Sequence, residues 1–275
     1  MSADSLRLAV FGQPIAHSLS PLIHALFGAQ TGLDVDYRAH ETGPGTLRAA
    51  LAHFHQEGGT GCNVTLPLKA EAAQLAQTIS ERVQLAGAAN TLLWRDRGWH
   101  ADNTDGLGLV ADLQRLGLNP AGQRIALIGA GGAAAGVLGA LLATGPAELT
   151  IYNRTLASAE ALRERHGAPA GLRAAALQHL PTVDGIDLLI NATSQGHRGD
   201  LPPLPEQLTT GSAVYDLNYG PAAAGLLSWC QQHAVPAHDG LGMLVAQAAE
   251  SFYRWTGVRP EFQPVLERLQ AQRGD

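Results

Sequence analysis

Short apolar runs alternate with stretches of helical spacing along the first part of the chain. Runs typical of strands cover residues 7–11, 35–40 and 61–66, and helical spacing of apolar residues covers 21–30 and 47–55. Strands that alternate with helices favour a parallel sheet with helices packed on it. We therefore predict an α/β fold with a mostly parallel sheet for this part of the protein.

A hairpin pattern follows this first series. Residues 90–94 and 99–101 both have the character of short strands, and a polar turn that ends in Gly98 joins them. Such a short connection predicts an antiparallel pair. Residues 105–116 then show helical spacing up to Gly117, which indicates a helix that bridges two domains.

A second alternating series begins after that helix. Its predicted strands are 124–128, 149–152, 188–191 and 213–217. A proline-rich surface loop is predicted at 201–205, and helical spacing returns at 241–255 and 264–272. A chain of 275 residues with two such series predicts two α/β domains.

Composition and charge narrow the class of protein. Hydrophobic residues make up 45% of the chain, and no apolar run approaches the roughly 20 residues that a membrane-spanning helix needs. Residues 1–8 lack the basic start and apolar core of a signal peptide, and Cys62 and Cys230 show no metal-site spacing. A net charge of −6 without a basic run argues against nucleic acid or an anionic membrane as partner. We expect a cytoplasmic protein without a metal.

A glycine-rich motif follows the first strand of the second series. Residues 124–136 read RIALIGAGGAAAG, in which Gly129, Gly131 and Ala134 have G-x-G-x-x-A spacing. Gly129 permits the tight turn, Gly131 lets the backbone approach a pyrophosphate, and Ala134 lets the helix pack closely on the strand. The alternative is a merely structural turn. The strand-turn-helix context favours a dinucleotide site, with the phosphates at the helix N-terminus.

The end of the next strand bears on the choice of cofactor. It carries Asn153, Arg154 and Thr155, where an NAD site would usually have an acidic residue. Arg154 can pair with a 2′-phosphate, so we predict NADP over NAD, although a solvated arginine is the alternative. The later stretch 188–194, LLINATS, fits either a contact to the nicotinamide ribose or an ordinary polar loop.

Three polar patches in the first half offer candidate chemistry. They are HSLSP at 17–21, NVTLPLK at 63–69, and the stretch from Asn90 to Asp105. Each has a plain alternative, since Ser20 can cap a helix, Lys69 can be a solvated charge, and Asn90 and Asp105 can be turn and cap residues.

The motifs together carry a family resemblance. They occur in the order SLSP, NVTLPLK, GAANT, DNTDG, GAGGA, NRT, NATS and DGLGMLVAQ. From Val10 to about Gln272 the chain resembles the shikimate dehydrogenases, which reduce 3-dehydroshikimate to shikimate with NADPH on the route to chorismate and the aromatic amino acids. The resemblance implies a substrate domain at 1–104, completed by helices at 240–275, a Rossmann-type NADP-binding domain at 105–239, and an active-site cleft between them.

The resemblance also implies roles for individual residues. Lys69 is the expected catalytic residue and Asp105 its partner, because a lysine beside a ring hydroxyl can shuttle the proton. Shikimate binding is expected at Asp105 and at a set of hydroxyl and amide side chains: Ser18, Ser20, Thr65, Asn90, Tyr219 and Gln247. Cofactor binding is expected at Gly129, Ala130, Gly131, Gly132, Ala133, Asn153, Arg154, Thr155, Leu217 and Gly240, with Glu81 as a weaker candidate. Without the resemblance, Gln247 also fits a satisfied core glutamine.

Two departures from the family pattern limit the expected cofactor preference. Ala134 and Ala135 stand where many members have Ser-Arg, and Ser158 stands where a second basic residue often follows NRT. The 2′-phosphate then depends on Arg154 alone, which predicts a looser preference for NADP. A quinate/shikimate dehydrogenase with mixed NAD and NADP use, and a ligand-sensing homologue without turnover, stay as alternatives. The expected partner is a small molecule, and the sequence leaves monomer and homodimer open.

Overall fold

The computed structural model describes residues 5–205, 207–209 and 211–274, and the chain divides into two compact units. Unit 1 comprises the chain up to Gly108 together with the chain from Leu244 onward, and unit 2 comprises Leu109–Met243. The two boundaries therefore fall inside helices, Asp105–Arg115 and Leu241–Thr256.

Strands and helices alternate along most of the described chain. The strands are β1 (Leu6–Gly12), β2 (Val35–Glu41), β3 (Gly61–Val64), β4 (Thr78–Ile79), β5 (Thr91–Arg95), β6 (Gly98–Asp102), β7 (Arg124–Ile128), β8 (Glu148–Asn153), β9 (Leu172–Ala176), β10 (Leu188–Asn191), β11 (Ala213–Asp216) and β12 (Ala237–His238). The helices are α1 (Ser20–Thr31), α2 (Leu47–Gln56), α3 (Lys69–Leu75), α4 (Glu81–Ala86), α5 (Asp105–Arg115), α6 (Gly132–Ala143), α7 (Leu156–Arg165), α8 (Pro221–Gln232), α9 (Leu241–Thr256) and α10 (Phe262–Arg273). Short 3-10 helices cover Leu177–Thr182 and Gln195–Arg198.

The sheet of unit 1 has the order β2-β1-β3-β5-β6-β4. Strand β1 is parallel to both of its neighbours, and β4 is parallel to β6. The predicted hairpin supplies the antiparallel part, because β5 pairs antiparallel with β3 and β6. Asp96 and Arg97 form its two-residue turn with φ of 49° and 66°, the left-handed backbone that such tight hairpins require.

The sheet of unit 2 is parallel throughout, in the order β12-β11-β10-β7-β8-β9. The chain starts at β7 and builds outward to β9, then returns to the other side of β7 with β10. Ligands of such sheets bind at the carboxyl ends of the strands where this reversal occurs. The order and direction of the strands confirm the Rossmann-type α/β fold expected from the sequence.

The core of each unit consists of the central strands and the helices packed on them. In unit 1, Leu8, Ala9, Val10 and Phe11 of β1 are each at most 2% exposed, which a strand covered on both faces requires. In unit 2, the residues Ile125–Ile128 of β7 are buried in the same way. Among the described residues, no helix combines the length and apolar character needed to cross a membrane.

Some predicted boundaries need correction. Strand β3 ends at Val64 and not at residue 66, since Leu66 and Pro67 lie in a turn, and β11 ends at Asp216 and not at 217. The last helix begins at Phe262, before the predicted start. The sequence analysis also assigns no element to seven parts of the chain, namely β4, β9, β12, α3, α4, α7 and α8.

An aromatic cluster in unit 1 encloses a histidine. The His24 ring is fully buried and stacks on Tyr37 with centroids 4.2 Å apart, and it contacts Phe27, Phe252 and Trp255. Burial lowers the pKa of His24 from 6.5 to about 3, because the charged imidazolium is poorly solvated there. The folded state therefore holds this ring neutral.

We predict that His24 makes the protein sensitive to acid. Between its two pKa values the unfolded chain binds more protons, so stability falls as pH drops below 6.5. His24 should lower the free energy of unfolding by about 2 kcal/mol between about pH 7.5 and pH 5. His24→Phe keeps a ring but cannot titrate. Its free energy of unfolding, measured in urea at the two pH values, should therefore fall by about that much less than the wild-type value. The exposed His53→Gln is the control, and an unchanged pH slope in His24→Phe would contradict the prediction.

Candidate active site

Lys69 and Asp105 form an ion pair in unit 1. Lys69 is the first residue of α3, after a turn closed by the Leu68 N–H donating to Thr65 O at 2.9 Å, and Asp105 is the first residue of α5. The Lys69 Nζ donates to Asp105 Oδ2 at 2.5 Å. Only 17% of the Lys69 side chain and 8% of the Asp105 side chain are exposed. The solvated-charge alternative for Lys69 is therefore wrong.

The Asp105 carboxylate is held on its other oxygen as well. Asn90 Nδ2 donates to Asp105 Oδ1 at 2.8 Å, and the Asp105 N–H donates to Asn103 Oδ1 at 3.0 Å. A carboxylate in the first turn of α5 is also favoured by the helix dipole. Asp105 thus has a fixed place as well as a cationic partner.

The orientation of the Asn90 amide follows from two neighbours, one of which can only donate a hydrogen bond and one of which accepts. The Thr104 N–H can only donate, and it lies 2.9 Å from Asn90 Oδ1. The Asp105 carboxylate accepts from the other side, so Nδ2 must face it. Asn90 Nδ2 also reaches Thr104 Oγ1 at 2.9 Å and Gln247 Oε1 at 3.0 Å. Its two amide hydrogens therefore serve three acceptors.

A buried hydroxyl cluster lies behind Asn90 and Gln247, and the sequence analysis did not identify it. We use this name for Thr91, Thr104 and Ser251, which are fully buried. Thr91 Oγ1 lies 2.8 Å from both Ser251 Oγ and Asn90 Oδ1, and Thr104 Oγ1 lies 3.2 Å from Ser251 Oγ.

Two further bonds connect the hydroxyl cluster to its surroundings. Asn63 Nδ2 donates to Ser251 Oγ at 3.0 Å, and Ser251 Oγ donates to the backbone oxygen of Gln247 at 3.1 Å. The sequence does contain a signal for this cluster, which is a polar residue inside an otherwise apolar element. Asn63 is such a residue in β3, and Ser251 is one in α9, one turn after Gln247.

Gln247, Ser18 and Ser20 are three of the residues predicted to bind the substrate. Gln247 is 8% exposed, and its Nε2 donates to Leu244 O at 2.8 Å, which fits both a core glutamine and a ligand contact. Ser20 begins α1 without a side-chain cap, so the capping alternative is wrong. Instead Ser18 Oγ accepts from the Ser20 N–H at 3.3 Å.

Thr65 follows β3 and lies against the end of β1. A Cβ added at Gly12 would be 2.3 Å from Thr65 Cγ2, so only glycine permits this approach. The Thr65 N–H donates to Phe11 O at 2.9 Å. Because β1 and β3 are neighbours, the loops that carry the serines and Thr65 start from adjacent strand ends.

The glycine-rich turn of unit 2 has the geometry of a phosphate site. Gly129 has φ of 108°, which favours glycine, and a Cβ there would be 3.2 Å from Ala192 O. Gly131 and Gly132 face open space, since a Cβ at either would meet nothing within 4 Å. No side chain caps α6, and Ala134 is fully buried against the sheet. Free N–H groups at the start of this helix fit a pyrophosphate.

The remaining cofactor candidates of unit 2 also lie at strand ends. Arg154 is exposed directly after β8, and Asn153 Nδ2 donates to Thr155 O at 2.9 Å. The positions predicted to lie near the nicotinamide, Leu217 and Gly240, are in contact, because a Cβ at Gly240 would be 2.4 Å from Leu217 O.

Four further candidates are placed in the fold, and their expected roles stay predictions. Ala130 and Ala133 belong to the glycine-rich turn and the first turn of α6, and Tyr219 follows Leu217 in the loop after β11. Glu81 begins α4 in unit 1 and is exposed, whereas the other predicted cofactor residues belong to unit 2. Within the described part of the chain, no group of three His, Cys, Asp or Glu residues could hold a metal ion.

Family models match most of the chain. The shikimate dehydrogenase substrate-binding domain matches residues 10–92, the shikimate/quinate 5-dehydrogenase model matches 113–198, and the shikimate 5-dehydrogenase C-terminal domain matches 240–270. The chain belongs to the shikimate dehydrogenase family.

Individual relatives agree with this membership. A shikimate dehydrogenase (NADP(+)) of Acidovorax sp. strain JS42 is 51% identical over 98% of both chains. A crystal structure of an Ael1 enzyme from Pseudomonas putida has a TM-score of 0.90 at 41% identity and covers 96% of this chain and 98% of its own. The shikimate 5-dehydrogenase of Thermus thermophilus, in complex with NADP(H) and shikimate, has a TM-score of 0.84 at 34% identity and covers 95% of this chain and 97% of its own.

We predict that the hydroxyl cluster of this shikimate dehydrogenase homologue stabilises the fold. Thr91→Val has nearly the same shape and leaves buried polar partners without a donor, which should lower the free energy of unfolding by about 1–3 kcal/mol. Thr60→Val, at an exposed position of the same unit, should change it by less than about 0.5 kcal/mol. Urea unfolding measures both variants, and equal stability of the two would refute the prediction.

Proposed function

We propose that the chain is an NADP-dependent shikimate dehydrogenase. It would catalyse the reversible reduction of 3-dehydroshikimate to shikimate on the route to chorismate and the aromatic amino acids. The observation that carries the proposal is the buried pair of Lys69 and Asp105, fixed in place by Asn90. The named activity of a relative with 51% identity supports the same substrate and cofactor.

Lys69 is the proton donor in this proposal. When bound, NADPH supplies the hydride to the carbonyl carbon of the substrate. The Lys69 ammonium gives a proton to the carbonyl oxygen, so that the C=O bond becomes CH–OH. Asp105 holds the ammonium in place at 2.5 Å and balances its charge where both side chains are largely buried. In the oxidation of shikimate the same proton travels back to the amine.

The basic residues of the chain favour this role for Lys69. Lys69 is the only lysine, and every other residue in the Lys plus Arg total of 18 is an arginine. A guanidinium stays charged at any physiological pH, whereas an amine can give up and regain a proton. The only lysine of the chain is thus paired with a buried carboxylate.

Hydroxyl and amide side chains would bind the substrate. Shikimate has one carboxylate and three hydroxyls, which suits Ser18, Ser20, Thr65, Tyr219 and Gln247 together with Asn90 and Asp105. Asn90 and Gln247 bond each other at 3.0 Å, so a ligand that binds both exchanges this bond for two new ones. Sites that hydrogen-bond each substrate hydroxyl reject analogues that lack one.

The proposal assigns the cofactor to the second domain. Residues 105–239 would bind NADP, with the pyrophosphate at the turn from Gly129 to Ala133 and the 2′-phosphate at Asn153–Thr155. Leu217 and Gly240 would lie near the nicotinamide, and Glu81 stays a weaker candidate. Residues 1–104 and 240–275 would bind the substrate. A cytoplasmic location, and a monomer or homodimer as the active form, belong to the same proposal.

We predict that a positive charge at position 69 is not sufficient for turnover. Lys69→Arg keeps the charge beside Asp105 but cannot release a proton, so kcat should fall by roughly 10²–10⁴, as in Lys69→Met. The assay follows NADP⁺ reduction with shikimate, and quinate and NAD⁺ are measured in parallel. Wild-type protein without shikimate turnover would refute the proposed function. A Lys69→Arg variant with wild-type kcat would refute proton transfer by Lys69.

We also predict that Arg154 is the cation that discriminates between NADP and NAD. Arg154→Ala should raise the Michaelis constant for NADP⁺ about tenfold and leave that for NAD⁺ unchanged, since only NADP⁺ carries the 2′-phosphate. Arg173→Ala, which removes an exposed positive charge from the same sheet, is the matched control. A Michaelis constant for NADP⁺ that does not respond to Arg154→Ala would exclude the clamp.

A further inference from the structure

A second carboxylate, at the end of β11, organises two loops of unit 2. Asp216 is 1% exposed, and its Oδ1 accepts three hydrogen bonds. The donors are Asn191 Nδ2 at 3.1 Å, the Asn218 N–H at 2.9 Å and Asn218 Nδ2 at 2.7 Å. Asn191 ends the neighbouring strand β10 and is paired with Asp216 in the register of the sheet. A single oxygen thus joins the ends of two adjacent strands.

Asn218 extends this arrangement to three stretches of chain. Its Nδ2 also donates to Thr193 O at 2.9 Å, and its backbone oxygen accepts from the Gly240 N–H at 2.8 Å. Thr193 is held in turn, because its Oγ1 donates to Asn191 Oδ1 at 2.8 Å. The loop after β10, the loop after β11 and the stretch at Gly240 are therefore fixed to one another.

The strand order indicates which half of a dinucleotide would lie over these loops. The glycine-rich turn after β7 and Arg154 after β8 lie on one side of the reversal in strand order, where the adenosine half of a dinucleotide binds. The other half must then extend over the ends of β10 and β11. The loop after β10 already lies against the turn, since a Cβ at Gly129 would be 3.2 Å from Ala192 O and 3.4 Å from Thr193 Cγ2.

We propose that Asn191, Asp216 and Asn218 are positioning residues for the nicotinamide half of the cofactor. The inference rests on the proposed function, because it takes the bound dinucleotide to be NADP. The three side chains act through the backbone of the two loops and hold the surface on which the nicotinamide ribose and ring lie. Hydride transfer depends on the placement of that ring to within a fraction of an ångström, so loosened loops slow the reaction.

The bonding of Asp216 makes the inference sharper. Asp216 Oδ2 is buried without a hydrogen-bond partner among the described residues. The oxygen that binds Asn191 and Asn218 is therefore Oδ1 alone. Burial raises the pKa of the Asp216 carboxyl, and the negative charge of Asp239 raises it further, although the bonds from Asn218 and Asn191 lower it. An asparagine at 216 can still present an oxygen to the same three donors, whereas an alanine cannot.

The decisive variant is Asn218→Ala, which removes both side-chain bonds at a half-buried position. We expect kcat for shikimate oxidation to fall about tenfold, with a larger primary isotope effect when the carbinol carbon carries deuterium. The affinity for NADPH should fall at least threefold, while that for adenosine 2′,5′-bisphosphate, which lacks the nicotinamide half, should stay within twofold of wild type. Asn119→Ala, at an exposed turn of the same unit, is the control.

The outcomes separate the inference from the proposed function. Wild-type kcat and isotope effect in Asn218→Ala would overturn the inference, and so would an equal loss of affinity for NADPH and the bisphosphate, which indicates general damage to unit 2. Wild-type protein that binds NADPH without oxidising shikimate would refute the proposed function alone, and the two affinities still test the inference. Asp216→Asn should keep more of the turnover than Asp216→Ala, and the reverse order would contradict the role of Oδ1.

Discussion

The carboxylate of Asp105 is the group on which the candidate active site depends. One oxygen accepts from Lys69 and the other from Asn90, so the charge and the direction of the amine are set together. A buried ammonium without this partner would be strongly destabilising, because removing one member of a buried pair leaves an uncompensated charge. The pair in turn requires α3 and α5 to begin where they do, since both residues are the first of their helices.

The hydroxyl cluster behind that carboxylate makes the site rigid. Thr91, Thr104 and Ser251 each have one hydroxyl hydrogen and lie within 3.4 Å of one another. Each can donate only once, so the directions of the bonds constrain one another and fix the amide of Asn90. Removing one hydroxyl from such a network destabilises the fold by more than an average hydrogen bond contributes, because its former partner stays buried without a hydrogen bond. Rigidity here comes from mutual dependence of small side chains.

The sequence predicts the elements with strong local signals and misses those that depend on tertiary contacts. The glycine-rich turn, the hairpin and the pairing of Lys69 with Asp105 follow from motif spacing, strand ends and family resemblance. Ser251 is different, since a serine one turn after Gln247 looks like any polar position of a helix until β5 is packed against it. Asp216 was missed for a related reason, because its bond from Asn191 depends on the sheet register, although its two bonds from Asn218 are local.

Asp105 and Asp216 show two uses of a buried carboxylate. Asp105 has a cationic partner, the amine whose proton the proposed reaction transfers. Asp216 accepts from neutral amides and a backbone N–H on a single oxygen, which suits a group that shapes backbone and takes no part in proton transfer. The partners decide the difference: an amine can exchange a proton with substrate, whereas an amide can only hold a position. A lysine therefore has a use beside Asp105, where the proposed reaction needs an exchangeable proton, and has no such use beside Asp216.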